Sequence, residues 1–212
     1  MWLLLQLADA AFPTGGFTHS GGLEAAVQLG EVRDEGSLRV FARALLWQTG
    51  LGALPFVGAV HDDPTRFGTL DRACDAMLTN HVQNRASRAQ GRALLSVACD
   101  VFGALLEARD TVTYAHLAPT FGLVTRNLGL PRREALAVFL HGGLRGVLSA
   151  AVRLGVTGPH AAQRMQHELG PMLEEILRSS EHIDADDAAQ PSPLIDVWQG
   201  QHDQLYARLF QS

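Results

Sequence analysis

The sequence predicts an all-α protein: a single-domain helical bundle of roughly eight to ten helices with a C-terminal docking tail. Three observations carry this expectation. Apolar residues recur at helical spacing along almost the whole chain, and no segment sustains the two-residue alternation of a strand. Glycine and proline punctuate that pattern at intervals suited to helix ends. With 212 residues, 47% of them hydrophobic, the chain can bury a substantial core.

Trp2 to Ala8 reads as a short apolar helix. In the turn that follows, Pro13 sets the entry angle, and Gly15 and Gly16, ahead of Phe17, allow a positive φ or a close backbone approach. Ser20 is placed to cap a second helix with Leu23, Ala26, Val27 and Leu29 inward and Gly30 as its stop. Asp34 N-caps a third helix bearing two apolar stripes: Leu38, Phe41 and Leu45 on one, and Val40, Ala44, Trp47 and Leu51 on the other. Such a helix is central or lies at an interface.

Asp62-Asp63-Pro64 breaks the chain ahead of an amphipathic helix over 69–80. A long helix is expected over 82–107, polar at its start and apolar later. Thr113 caps a helix that runs through Leu128 and stops at Gly129; Pro131 suits the first turn of the next, whose core positions include Leu136, Phe139, Leu140, Leu144, Val147 and Leu148. A last regular helix opens at Thr157 and Pro159, turns Met165, Leu169, Met172, Leu173 and Ile176 inward, and kinks at Gly170-Pro171.

These elements make a bundle over residues 1–178. Residues 179–193 are acidic, rich in Ser, Ala and Pro, and read as a linker. Residues 194–212 become apolar and aromatic again, with Trp198, Leu205 and Leu209 on one helical face and His202 between them. Too short to build its own core, this tail docks back on the bundle or on a partner.

Composition excludes several function classes. The formal net charge is −5 and no basic run exceeds two residues, Arg132-Arg133 being the longest, which argues against a nucleic-acid partner. All 17 cationic side chains are arginine, so a Walker A lysine, a Schiff-base lysine and a lysine general base are excluded together. No signal-peptide pattern and no unbroken apolar run near the ~18 residues of a membrane span are present, so no membrane partner is expected and a cytoplasmic location is the default. Cys74 and Cys99 stand apart without a C-x-x-C neighbour and read as buried free thiols.

Nine histidines invite a metal reading, but none are paired at chelating spacing, so no metal site is expected. Thr18-His19-Ser20 places a nucleophile and a base near Asp9 and Glu24, yet adjacent helical positions point apart and no nucleophile-elbow motif accompanies them. Capping and surface roles suffice for all of them, with Glu24 favourable near a helix N-terminus; a hydrolase would require His19, Asp9 and Glu24 to converge. No catalytic residue and no cofactor site are therefore expected. Arg85, Arg88 and Arg92, at i, i+3 and i+7, share one helical face and call for carboxylate partners from this chain or another, while Gly91 permits close backbone packing.

The order of Leu5-Gln6-Leu7, the Pro13-Thr14-Gly15-Gly16-Phe17 turn and the Ser20-Gly21-Gly22-Leu23-Glu24 helix start resembles the N-terminal signature of the urease accessory protein family UreF. The ending Tyr206-Ala207-Arg208-Leu209-Phe210-Gln211-Ser212, the stretch from Asn84 to Leu95 and the run from Val147 to Gly155 are similar to that family as well, so the resemblance spans most of the chain. Gly158-Pro159 departs from it, standing where related sequences often carry Gly-Gln.

The resemblance implies a cytoplasmic, homodimeric, non-enzymatic scaffold and regulator. It would bridge UreD, also called UreH, and the GTPase UreG in GTP-dependent nickel delivery to apo-urease. An alternative is a GTPase-activating protein that lends UreG an arginine finger from Arg85, Arg88 or Arg208. The partner-binding or structural residues it implies are Pro13, Gly15, Gly16, Phe17, Ser20, Gly22, Leu23 and Glu24 in the corner, Arg85 and Arg88 in the polar stretch, and Trp198, His202, Tyr206, Arg208, Leu209 and Phe210 in the tail. Trp198, Leu205, Leu209 and Phe210 are expected to bury against the UreD-like partner, and Arg208 to brace the glycine turn.

Overall fold

The computed structural model describes residues 1–103, 105 and 112–212, and every described regular element is helical. In chain order the helices are α1 (Trp2–Ala8), α2 (Leu23–Gln28), α3 (Glu35–Gln48), α4 (Leu54–Asp62), α5 (Phe67–Met77), α6 (His81–Phe102), α7 (Leu117–Asn127), α8 (Arg132–Arg153), α9 (Pro159–Glu168), α10 (Gly170–Ser180) and α11 (Pro193–Gln201). The all-α, single-domain expectation holds.

Local chemistry explains most of the boundaries. Asp34 accepts the Ser37 N–H at 2.8 Å while the Ser37 hydroxyl receives the Asp34 N–H, a reciprocal cap that starts α3. The helix is interrupted at Leu169, ahead of Gly170-Pro171, because proline removes a backbone donor; α9 ends at Glu168 and α10 starts at Gly170, where the kink is expected. Some boundaries and two side-chain positions differ from expectation. The residue that caps α7 is His116, not Thr113, and Pro131 is itself the N-cap of α8. Leu29, expected inward, and Val40, expected on the second apolar stripe, are exposed, because each lies on the solvent side of its helix. The helix expected over 82–107 stops at Phe102 with Gly103 in the left-handed region, and Glu107 lies outside the described residues.

The helix started by Asp34 has an apolar stripe reaching Leu51, and beyond Gln48 residues Thr49–Ala53 form a π-helical turn that carries α3 directly into α4, which ends at Asp62 where the sequence breaks. Tertiary packing decides here, since Gly50 lies against Ile176 of α10.

The buried centre is α7, in which every residue from Ala118 to Thr125 is inaccessible, clasped between α4 and α6. Two helices, Glu35–Asp62 and Arg132–Arg153, are long and apolar enough to cross a membrane by length and composition, although neither contains an unbroken apolar run. They pack on one another within the bundle.

The α6–α7 junction is set by two features. Asp71, buried on α5, accepts the backbone N–H groups of Tyr114, Ala115 and His116, and so fixes the loop entering α7. Gly91 then lets α6 approach that loop: a Cβ there would stand 1.9 Å from the Ala115 carbonyl oxygen. Gly91→Ala is therefore expected to destabilise the protein by about 1–3 kcal/mol through overpacking, measured as a lower urea midpoint; an unchanged midpoint would show that the junction yields freely.

Candidate functional site

The site is built where the two ends of the chain meet. After α1, the segment passes exposed Pro13 and reaches Gly15, whose φ of +73° starts a 3₁₀ turn over Gly16–Thr18. The chain then turns at Ser20 and enters α2 through Gly22, at φ +90°. A side chain at Gly22 would meet Gln199 of α11 at 2.9 Å, so the glycine both makes the turn and admits the tail. The N-cap of α2 is Gly22, not Ser20, whose hydroxyl accepts the Glu24 N–H from outside the cap at 3.4 Å, and Leu23 is fully buried.

That entry turns Glu24 inward. Its carboxylate, 1% exposed, accepts the Leu209 N–H at 2.5 Å with Oε1 and the Phe210 N–H at 3.1 Å with Oε2, and lies 3.2 Å from Nε2 of fully buried His202. This pairing selects the His202 tautomer that donates from Nε2. A buried carboxylate without such donors would be strongly destabilising, so the three contacts hold the tail in place. The earlier expectation of a role limited to the helix N-terminus understates Glu24.

Backbone pairing continues the docking. Thr18 O accepts the Gln211 N–H at 2.8 Å, and the main-chain oxygen of Ser212 accepts from Ser20 N–H at 2.6 Å and from the Ser20 hydroxyl at 3.0 Å. His19 Nδ1 meets the Ser212 hydroxyl at 2.5 Å. The residue expected to brace this corner, Arg208, does not reach it. Arg153, at the end of α8, donates to Phe17 O at 2.6 Å, and its guanidinium carbon lies 3.9 Å from the Phe17 ring centroid and 4.2 Å from that of Phe210. Arg153 thus joins the glycine corner to the tail, while Arg208 turns toward Asp203 at 3.5 Å.

Asp203 collects the nearby cations. Arg85 donates to both of its oxygens, at 2.8 and 3.1 Å, and His81 Nε2 lies at 3.1 Å. The Arg85 hydrogen bond first, then its charge and His81, hold the Asp203 carboxyl down at about 2. Arg88 does not join this cluster; its guanidinium lies 5.2 Å from the Tyr114 ring centroid.

The tail does not form the single helical face expected of it. α11 ends at Gln201 and a 3₁₀ turn over His202–Gln204 follows, so Leu205 and Leu209 lie beyond the helix that carries Trp198. Trp198 packs on Phe41 at 5.5 Å between centroids and Phe210 is buried. Leu209 remains 54% exposed and Tyr206 wholly exposed. The end of the preceding 179–193 stretch lies against the end of α3 and the π-helical turn: the Ala189 N–H donates to Leu51 O at 2.9 Å, and Gln48 Oε1 accepts the Ser192 N–H at 3.0 Å.

An apolar cavity of about 410 Å³ opens beneath the corner, bordered by Phe12, Phe17, His19, Ser20, Phe139 and Ser212. The convergence of His19, Asp9 and Glu24 that a hydrolase would require is not formed: His19 borders the cavity and meets the Ser212 hydroxyl, while Glu24 is held by the tail and Asp9 by the Ala11 N–H. Among the described residues no three His, Cys, Asp or Glu side chains stand together as a metal site.

His19 makes the docking pH-dependent. Burial, with repulsion from His202 and Arg85, lowers its pKa from the ordinary 6.5 to about 4. Between those values the undocked state binds a proton that the docked state does not, so docking is strongest above pH 6.5 and weakens as the pH falls toward 4. Asp203 contributes nothing to that window, because its contribution is lost only below 3.8, toward about 2. Trypsin cleavage after Arg208, normalised to an unstructured arginine peptide, is expected to be faster at pH 5 than at pH 7.5, with the difference reduced in His19→Gln. Equal normalised rates in the wild type would remove His19 from tail docking.

Comparison with known proteins places this architecture. The UreF family model matches residues 32–170. The chain is 40% identical over 221 residues to urease accessory protein F of Arabidopsis thaliana, covering 100% of this chain and 92% of the relative. It is 37% identical over 220 residues to urease accessory protein F of Oryza sativa subsp. indica, covering 99% and 84% respectively. Urease accessory protein UreF of Trichodesmium erythraeum is 33% identical over 220 residues, with 98% of this chain and 94% of the relative covered. The family model stops short of the glycine corner and the tail, the alignments with these relatives extend over both, and the chain belongs to the UreF family of urease accessory proteins.

Proposed function

We propose that this chain is a non-enzymatic urease maturation factor. It acts in the cytoplasm as a homodimer, bridging a UreD/UreH-like accessory protein and the GTPase UreG during GTP-dependent insertion of nickel into apo-urease. Family membership supports the maturation role. The observation that carries the bridging role is the composite surface at the joined chain ends, where Phe17, Tyr206 and Leu209 stay exposed on a base held by Glu24 and Arg153. Exposed aromatic and aliphatic side chains on a rigid base suit protein recognition. Nickel is cargo in this scheme and needs no resident site in the isolated chain.

In the alternative reading, the chain activates UreG with an arginine finger. Arg85 is committed to Asp203 through both terminal nitrogens and Arg88 stacks on Tyr114, which leaves Arg208, exposed and held only at 3.5 Å, as the arginine best placed to be lent.

Deleting residues 194–212 would uncover the core, because Ile195, His202 and Phe210 are buried, so the docking test uses exposed positions. Leu209→Asp combined with Tyr206→Ala is expected to lower co-purification of the UreD-like protein about tenfold or more without loss of helix content; full-strength capture would overturn the role given to the tail. In the same complexes Arg153→Ala is expected to reduce UreG recruitment more than Arg208→Ala, and the reverse order would return the brace to Arg208. A fall of about a thousandfold in GTP turnover with Arg208→Ala, at unchanged UreG binding, would instead favour the arginine finger.

A further inference from the structure

The α6 face that carries Arg85 continues beyond the tail. Arg85, Arg88 and Arg92 line one concave surface with His81 and Asn84, and helical geometry spreads the three guanidinium groups over roughly 10 Å along the axis. The first of them displays how this surface binds an acid. Arg85 takes both oxygens of Asp203, with His81 beside it, and the resulting field holds that carboxyl at about 2. The next two have no such occupant: neither Arg88 nor Arg92 has a carboxylate within ion-pairing distance among the described residues. Arg88 lies over the Tyr114 ring, Arg92 is exposed, and Asp75, which feels the charge of Arg88 from a distance, is hydrogen-bonded to Asn84 and His116. A row of three guanidinium groups with one carboxylate already seated stands out on a chain of net charge −5.

We propose that this row is a docking surface for an acidic helix of a partner protein. The spacing selects the occupant. Cations at i, i+3 and i+7 on a straight helix are matched by carboxylates three or four residues apart on a second helix laid alongside, and each Arg–carboxylate pair can be bidentate as at Asp203. A polyanion such as RNA would also meet arginines, but the narrow strip, its seated carboxylate and the overall negative charge favour a protein acid. That the helix belongs to a partner protein rests on the assembly role proposed above; the surface itself is tested without any urease component.

The test is fluorescence anisotropy of the full-length protein titrated into a fluorescein-labelled, 18-residue alanine-based helical peptide carrying glutamate at positions 4, 7, 11 and 14. Saturable binding in 50 mM salt is expected, weakened tenfold or more in Arg88→Gln/Arg92→Gln and by 500 mM salt, and unchanged in Arg126→Gln, an exposed arginine on α7. Circular dichroism of each variant checks that the fold is retained. The same peptide with glutamine in place of glutamate is expected not to bind. The proposal is overturned if the wild type does not bind the glutamate peptide, if the double variant binds it equally, or if a labelled 18-nucleotide single-stranded RNA binds more tightly and loses affinity with the same substitutions. Loss of partner co-purification while the peptide still binds would count against the assembly role and leave the surface standing.

Discussion

One buried carboxylate organises the two ends of this chain. Glu24 is removed from water at the first turn of a six-residue helix, and burial at that cost requires hydrogen-bond donors. All its tail donors come from residues far along the chain: His202, 178 positions later, and Leu209 and Phe210, 185 and 186 positions later. The requirement works in both directions, since the Leu209 and Phe210 N–H groups belong to an irregular segment with no ladder of its own. The order of the tail and the solvation of Glu24 are therefore a single event.

The remaining contacts follow from that closure. Once Phe210 is drawn in, Arg153 fills the space between its ring and that of Phe17 and ties α8 to the glycine turn. Once His202 is drawn in, Asp203 is presented to Arg85 on α6. Three helices and two chain ends thus converge on one patch whose polar groups are consumed in holding it together.

Where a residue's role is decided by its immediate neighbours, the sequence was legible. The bounds of α1, the Asp34 cap, the stop at Gly129 and the interruption at Gly170-Pro171 all follow from local rules. The glycine corner was legible as a feature built for shape. Long-range partners were not. The π-helical turn over Thr49–Ala53 has no local signal, because Gly50 meets Ile176 of α10 and Gly52 meets Ala189 only once the chain is folded. Glu24 in sequence is one acid at a helix start, and nothing adjacent to it announces donors from the tail. Arg153 and Arg208 are equally plausible as braces when read along the chain; only the exit direction of α8 separates them. Asp203, which pairs with Arg85, is likewise invisible as a partner until the tail is folded back.

The account stands most directly on the two amide hydrogens that Glu24 accepts. Amide exchange at Leu209 and Phe210, followed by NMR at pH 7.5, should show both protected in the wild type. In Glu24→Gln, where a neutral carboxamide of the same shape replaces the acceptor, both are expected to exchange about tenfold faster or more while the amides of α7 keep their protection. Unchanged protection at Leu209 and Phe210 in Glu24→Gln would contradict the claim that this carboxylate holds the tail.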